Sequence, residues 1–159
     1  MKWCFRVILS AVTLVALSLA EVINFQKCPD VEEKCSIRQV SVTPCPDAAR
    51  ELPCTILRGS NVSISFDFTP EFNANELTAD VSWTQAAFDL PFIGMDTAAC
   101  KHTACPVESG KQQHYSYDLN IKKSYPAQPY DVKWKLTSEN NEACCFILQI
   151  NISKKMKRT

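Results

Sequence analysis

The chain has 159 residues, 46% of them apolar, with 17 Lys and Arg balanced by 17 Asp and Glu and with nine cysteines. That length sets the scale of one domain, able to bury about two-thirds of the surface its unfolded chain exposes. Balanced charge without a basic stripe interleaved with aromatics excludes the pattern expected of a nucleic-acid partner.

The first 20 residues read as a targeting segment. Lys2 and Arg6 precede an apolar run from Val7 to Leu19, and Ser18-Leu19-Ala20 is a small-residue cleavage site ahead of Glu21. Residues 1–20 are therefore expected to be a secretory signal peptide and 21–159 the mature domain. The run is shorter than the roughly 20 residues a spanning helix needs, and no second such run follows. Cys4 leaves with the signal, so eight cysteines remain, and 15 basic against 17 acidic residues leave a net charge of −2. An even set of eight in an oxidising compartment reads as a disulfide framework, where the cytosol would suggest metal binding or catalysis. The expected location is secreted, either extracellular or in the lysosomal lumen.

Along the mature chain, period-two alternation dominates. After Cys28 and Cys35, Val40 and Val42 suggest a strand ending before Pro44, followed by Cys45 and Cys54. Val62, Ile64, Phe66 and Phe68 then alternate with polar residues up to Pro70. The pattern recurs in Leu77, Ala79, Val81 and Trp83, and again in Tyr115, Tyr117, Leu119 and Ile121. Tyr130, Val132, Trp134 and Leu136 repeat it, as do Phe146, Leu148, Ile150 and Ile152 after the adjacent Cys144 and Cys145. Turn-rich segments separate these runs, chiefly 70–75 and 90–110. Short one-faced strands at this spacing predict an all-β antiparallel sandwich.

The inner faces of those strands are unusually aromatic, with Phe66, Phe68, Trp83, Tyr115, Tyr117, Tyr130, Trp134 and Phe146 all on them. Periodicity admits two outcomes: a packed core, or two slightly splayed sheets enclosing a pocket for an apolar ligand. Catalysis has little footing. His102 and His114 are the only histidines, no Gly-x-Ser-x-Gly elbow is present, and Gly59, Gly94 and Gly110 are too scattered to cradle a phosphate. His102 between Cys100 and Cys105 has zinc-ligand chemistry, but an oxidised cysteine pair with a histidine in its loop is the simpler reading. No metal or other cofactor is expected.

Several segments, taken in order, carry a family resemblance: Glu21 to Phe25 ahead of Cys28, Val40 to Cys45 with Pro53-Cys54, Leu90-Pro91-Phe92, and Cys100 to Cys105-Pro106. Tyr115-Ser116-Tyr117, Ile121 to Tyr125-Pro126, Val132 to Leu136, and Cys145-Phe146 complete the set. Together they resemble the ML lipid-recognition family over the whole mature chain, within it the Niemann-Pick type C2 proteins most closely, with group-2 mite allergens as cousins.

The resemblance implies a seven-stranded, immunoglobulin-like antiparallel β-sandwich with an apolar pocket between the sheets and no enzymatic step. It implies a soluble lipid carrier, sterol first, engaged in sterol transport. Fatty acids or other hydrophobic signals are alternatives, as is recognition of microbial lipids in immunity. Carried over motif by motif, Leu90, Phe92, Ile121, Tyr125 and Pro126 would border the entrance, and Val81, Trp134, Leu136 and Phe146 would line the deeper wall. Trp83 departs from the pattern: the sterol carriers typically have a small residue there, so its indole would favour a slimmer or shorter ligand. The resemblance also pairs Cys28 with Cys145, Cys45 with Cys54, and Cys100 with Cys105. Cys35 and Cys144 are extra to the family pattern and form the remaining pair, with the partner of Cys28 open between Cys144 and Cys145.

Magnitudes fit such a carrier. A lipid burying roughly 400 Å² of apolar surface gains about 10 kcal/mol before association costs reduce it. Loop closure would make the Cys28 link worth about 5 kcal/mol and the Cys100 link about 2. Sequons at Asn61 and Asn151 permit glycosylation. The basic tail of Lys154, Lys155, Lys157 and Arg158 reads as a solvated end or as a transient contact with an anionic membrane or a membrane sterol acceptor. A monomer is expected.

Overall fold

Each alternating run leaves one face of a strand apolar, and two such sheets bury those faces against one another. The computed structural model describes residues 21–85 and 88–155. Its strands are β1 (Phe25–Lys27), β2 (Cys35–Thr43), β3 (Cys54–Leu57), β4 (Asn61–Pro70) and β5 (Leu77–Thr84). They continue with β6 (Asp89–Pro91), β7 (Gln113–Asn120), β8 (Pro129–Ser138) and β9 (Ala143–Ser153). Single 3₁₀ turns lie at Ala48–Arg50 and Ala99–Lys101. Residues 1–20, expected to be a signal peptide, and the tail beyond Lys155 lie outside the described residues.

The larger sheet runs β1-β9-β8-β5-β6, with β3 also on β9, and the smaller runs β2-β4-β7. Seven strands have four residues or more; the three-residue β1 and β6 are additional. The alternating runs all became strands because alternation is a local property of extended chain. The β1, β3 and β6 strands are too short to show it.

One pairing departs from the antiparallel expectation: β3 runs parallel to β9, Cys54 to Leu57 opposite Ile150 to Ser153. The reason is edge coverage. β1 covers β9 only from Phe146 to Leu148, and β3 occupies the rest of that edge, satisfying backbone groups otherwise left unpaired.

The interior centres on Phe66 of β4. Its ring stacks on Tyr115 of β7 at 5.0 Å and meets Phe146 of β9 edge-on at 4.8 Å and Trp134 of β8 at 6.4 Å. One side chain thus joins both sheets, and edge-to-face geometry adds to its burial.

Four disulfides brace the sandwich: Cys28–Cys145, Cys35–Cys144, Cys45–Cys54 and Cys100–Cys105. Because neighbouring strand residues face opposite ways, Cys144 turns inward to Cys35 of the smaller sheet and Cys145 outward to Cys28. The first bond ties sheet to sheet. The second extends the β1–β9 register by one pair.

Candidate functional site

An apolar cavity of about 360 Å³ opens at the end of the sandwich where β5, β6, β7 and β8 meet. One wall comes from Trp83 at the end of β5 and Tyr130 at the start of β8, whose rings lie 4.8 Å apart. The facing wall is Phe92 and Tyr125, edge to face at 5.8 Å. Leu90, Pro91, Ile93 and Pro126 complete the apolar rim, with Lys122 and Ser124 as its polar members.

Local geometry fixes each part of that mouth. The Phe92 amide donates to the Val81 carbonyl at 2.9 Å, holding the segment after β6 against β5. Tyr130 donates through its hydroxyl to the Pro126 carbonyl at 3.0 Å, and burial lifts its phenol above the ordinary range. Lys122 donates across the opening to the Ile93 carbonyl at 3.4 Å. Behind the β7–β8 loop, the Gly59 amide donates to the Ile121 carbonyl. Gly59 has φ +83°, and a Cβ there would meet Lys123 Cγ at 2.8 Å, so the close approach of this loop requires glycine.

On the outer face, Lys133 of β8 is only 7% exposed. It donates to Asp30 at 2.6 Å and Asp89 at 2.9 Å, pinning β6 and the N-terminal segment. The hydrogen bond from Lys133 holds the Asp30 carboxyl below its ordinary range. Burial alone would lower the Lys133 ammonium, but its two carboxylate partners carry it above its usual value.

Of the sequence-derived entrance residues, Leu90, Phe92, Tyr125 and Pro126 line this cavity, whereas Ile121 is buried beneath the loop. The expected deep wall of Val81, Trp134, Leu136 and Phe146 does not line it; all four belong to the packed core. Apolar walls facing one another close to contact, because a void between them forfeits dispersion. Trp83, expected from sequence to narrow the pocket, lines it, whereas Tyr130, Pro91, Ile93, Lys122 and Ser124 were not assigned to the site from sequence. For Trp83 and Tyr130 a signal existed: alternation past Val81 and ahead of Val132 puts both rings inward at one end of the sandwich.

His102 sits within the loop closed by the Cys100–Cys105 disulfide. Asn61 is exposed and Asn151 half-buried. Lys154 and Lys155 are exposed; Lys157 and Arg158 lie outside the described residues. A second cavity of about 250 Å³, on the outer flank of β1 and β9, mixes Asn24, Gln26, Glu51 and Gln149 with apolar groups and suits an apolar ligand less well.

Comparison with known proteins bears on this geometry. The ML-domain family pattern matches residues 22–152. An MD-2-related lipid-recognition protein from Manduca sexta is 38% identical over 134 residues, covering 82% of this chain and 85% of that protein. The NPC intracellular cholesterol transporter 2 homolog a of Drosophila melanogaster is 26% identical over 123 residues, 76% of this chain and 80% of its own. The crystal structure of a Niemann-Pick type C2 protein from the Japanese carpenter ant superposes with a TM-score of 0.72 at 21% identity, covering 82% of this chain and all of that one. That likeness carries the immunoglobulin-like fold. The chain belongs to the ML-domain family, whose members are lipid-binding and non-enzymatic.

Proposed function

We propose that this protein is a secreted or lysosomal lipid carrier that admits its ligand through the mouth between Phe92–Tyr125 and Trp83–Tyr130, with sterol the first candidate. The observation that carries this reading is the apolar cavity at the rim, where four rings and a lysine surround an opening at the end of the sandwich. A ligand passing inward would part Val81 and Val132 of the larger sheet from Leu119 of the smaller. Burial of its apolar surface would supply the affinity, and the few polar groups at the mouth would orient one end.

Four disulfides support an oxidising compartment. Ile93, 79% exposed at the rim, with Leu90 beside it and Lys122 opposite, supports transient contact with a membrane during transfer. A second reading, recognition of a microbial lipid, rests on the similarity to the Manduca sexta lipid-recognition protein.

Solvent extraction of the purified protein, with mass spectrometry of the lipid recovered and competition among cholesterol, a fatty acid and lipopolysaccharide, tests both. Recovery or displacement by sterol supports the first. Binding of lipopolysaccharide without sterol supports the second, and failure to bind any apolar lipid sinks both.

A further inference from the structure

The fold separates the two sequons, Asn61-Val62-Ser63 and Asn151-Ile152-Ser153. Asn61 is the first residue of β4 and is exposed. Val62 points into the core at 3% exposure, so alternation places Asn61 and Ser63 together on the outward face of the smaller sheet. On one side Asn61 pairs with Asn120, at the end of the β4–β7 register. On the other it lies beyond the last β2–β4 pair, Thr43 with Ser63, and has no strand beside it. Asn120 Nδ2 donates to Asn61 Oδ1 at 2.7 Å. The amide oxygen is held by that neighbour, while no hydrogen bond from Asn61 Nδ2 is formed among the described residues.

Asn151 is enclosed by comparison. It lies within β9 with a strand on each side, opposite Pro129 of β8 and Thr55 of β3, and it is half-buried. A branched sugar on its amide would rise from the middle of a three-strand surface, where one on Asn61 would rise from an end.

We propose that Asn61 carries an N-linked glycan in the secreted protein and that Asn151 stays unmodified. The inference rests on the secretory route contained in the carrier reading above. The co-substrate is a lipid-linked oligosaccharyl diphosphate, the membrane-held sugar donor of that compartment. Asn61 Nδ2 forms a bond to the anomeric carbon of the first sugar, and the bond from that carbon to the diphosphate oxygen breaks. The lipid diphosphate leaves, and one Nδ2 proton passes to the transferring enzyme. The modified amide keeps its oxygen, so the hydrogen bond from Asn120 survives.

The position also relates to the mouth. Asn120 ends β7, and the loop that follows carries Lys122, Ser124, Tyr125 and Pro126 to the cavity. The glycan is therefore rooted at the mouth end of the sandwich but on its outside, shielding the polar face of β4 and β7. Exposed Leu90 and Ile93 belong to the β6 side of the opening.

The test expresses the full chain, residues 1–159, in a eukaryotic secretory cell line and maps peptides of the secreted protein by mass spectrometry, with and without an N-glycosidase. The peptide bearing Asn61 is expected to carry sugar mass that the glycosidase removes, and the peptide bearing Asn151 to carry none. Ser63→Ala should abolish that mass and Ser63→Thr, which keeps the sequon hydroxyl, should retain it, while Ser153→Ala should change nothing. Secretion of the native protein with a bare Asn61, or with sugar on Asn151, overturns the proposal and leaves the carrier reading intact. Protein retained in the cytosol without sugar overturns both.

Discussion

The Trp83 indole lies 4.8 Å from the Tyr130 ring, tilted by 59°, across the end of the sandwich that opens to solvent. The pair forms one wall of the mouth, so the side chain that departs from the sterol-carrier pattern is also one placed to limit ligand thickness. Trp83→Ala should therefore raise affinity for a fused-ring sterol about tenfold relative to a single-chain fatty acid. The indole is only half-buried, so the substitution should cost about 1–2 kcal/mol, less than for a fully buried aromatic. Displacement of a fluorescent lipid and thermal unfolding measure the two effects.

Lys133 governs the mouth from the opposite face of the sheet. Replacing it with methionine keeps the buried stem but releases Asp89 and with it β6, whose Leu90 and Pro91 form the rim. A stability loss of about 1 kcal/mol and faster ligand dissociation are expected, read by denaturant titration and stopped-flow release. Unchanged dissociation would show that β6 does not depend on this clamp.

The same clamp has a defined pH range. Asp30 has its carboxyl lowered in the folded protein, so its contribution is present above the unfolded value and disappears as pH falls through the folded one. Lys133 is raised, so its contribution is present below its unfolded value and is lost as pH rises through the folded one. The clamp should therefore persist through mildly acidic and neutral conditions, weakening only in strong acid or strong alkali. Unfolding profiles of native protein and Lys133→Met should differ least at those two extremes.

Cys28–Cys145 and Cys35–Cys144 span 117 and 109 residues, yet their effects should not add. With either bond formed, the other closes a ring of only roughly eight residues, worth about 2.5 kcal/mol, whereas losing both reopens the long loop and costs about 7. Paired Cys→Ser substitutions, singly and together, should show this in chemical denaturation. The value of about 5 kcal/mol for the Cys28 link alone applies only where the second bond is missing.

Ile93 is 79% exposed at the rim, so Ile93→Glu should slow transfer between vesicles about fivefold, the scale of losing one partly buried aliphatic contact, and should lower the affinity for a solubilised lipid by a smaller factor. Equal transfer rates would place the membrane contact elsewhere.

Much of this architecture was legible in the chain itself. Strands β4, β5, β7, β8 and β9 announce themselves because a buried face every second residue is a local constraint, visible in runs such as Val62-Ile64-Phe66-Phe68. Ordered motifs pointed to Leu90, Phe92, Tyr125 and Pro126, which the fold brings together at the mouth. Other features depend on distant partners: β3 lies parallel on β9 because β1 is too short to cover that edge, and Val81, Trp134, Leu136 and Phe146 close into core because the facing sheet supplies rings to fill the space. Alternation could tell only that Trp134 and Tyr115 point inward. That their rings meet at 5.8 Å across the two sheets is decided by how the sheets pack, since contacts between distant strands leave no periodic trace in sequence.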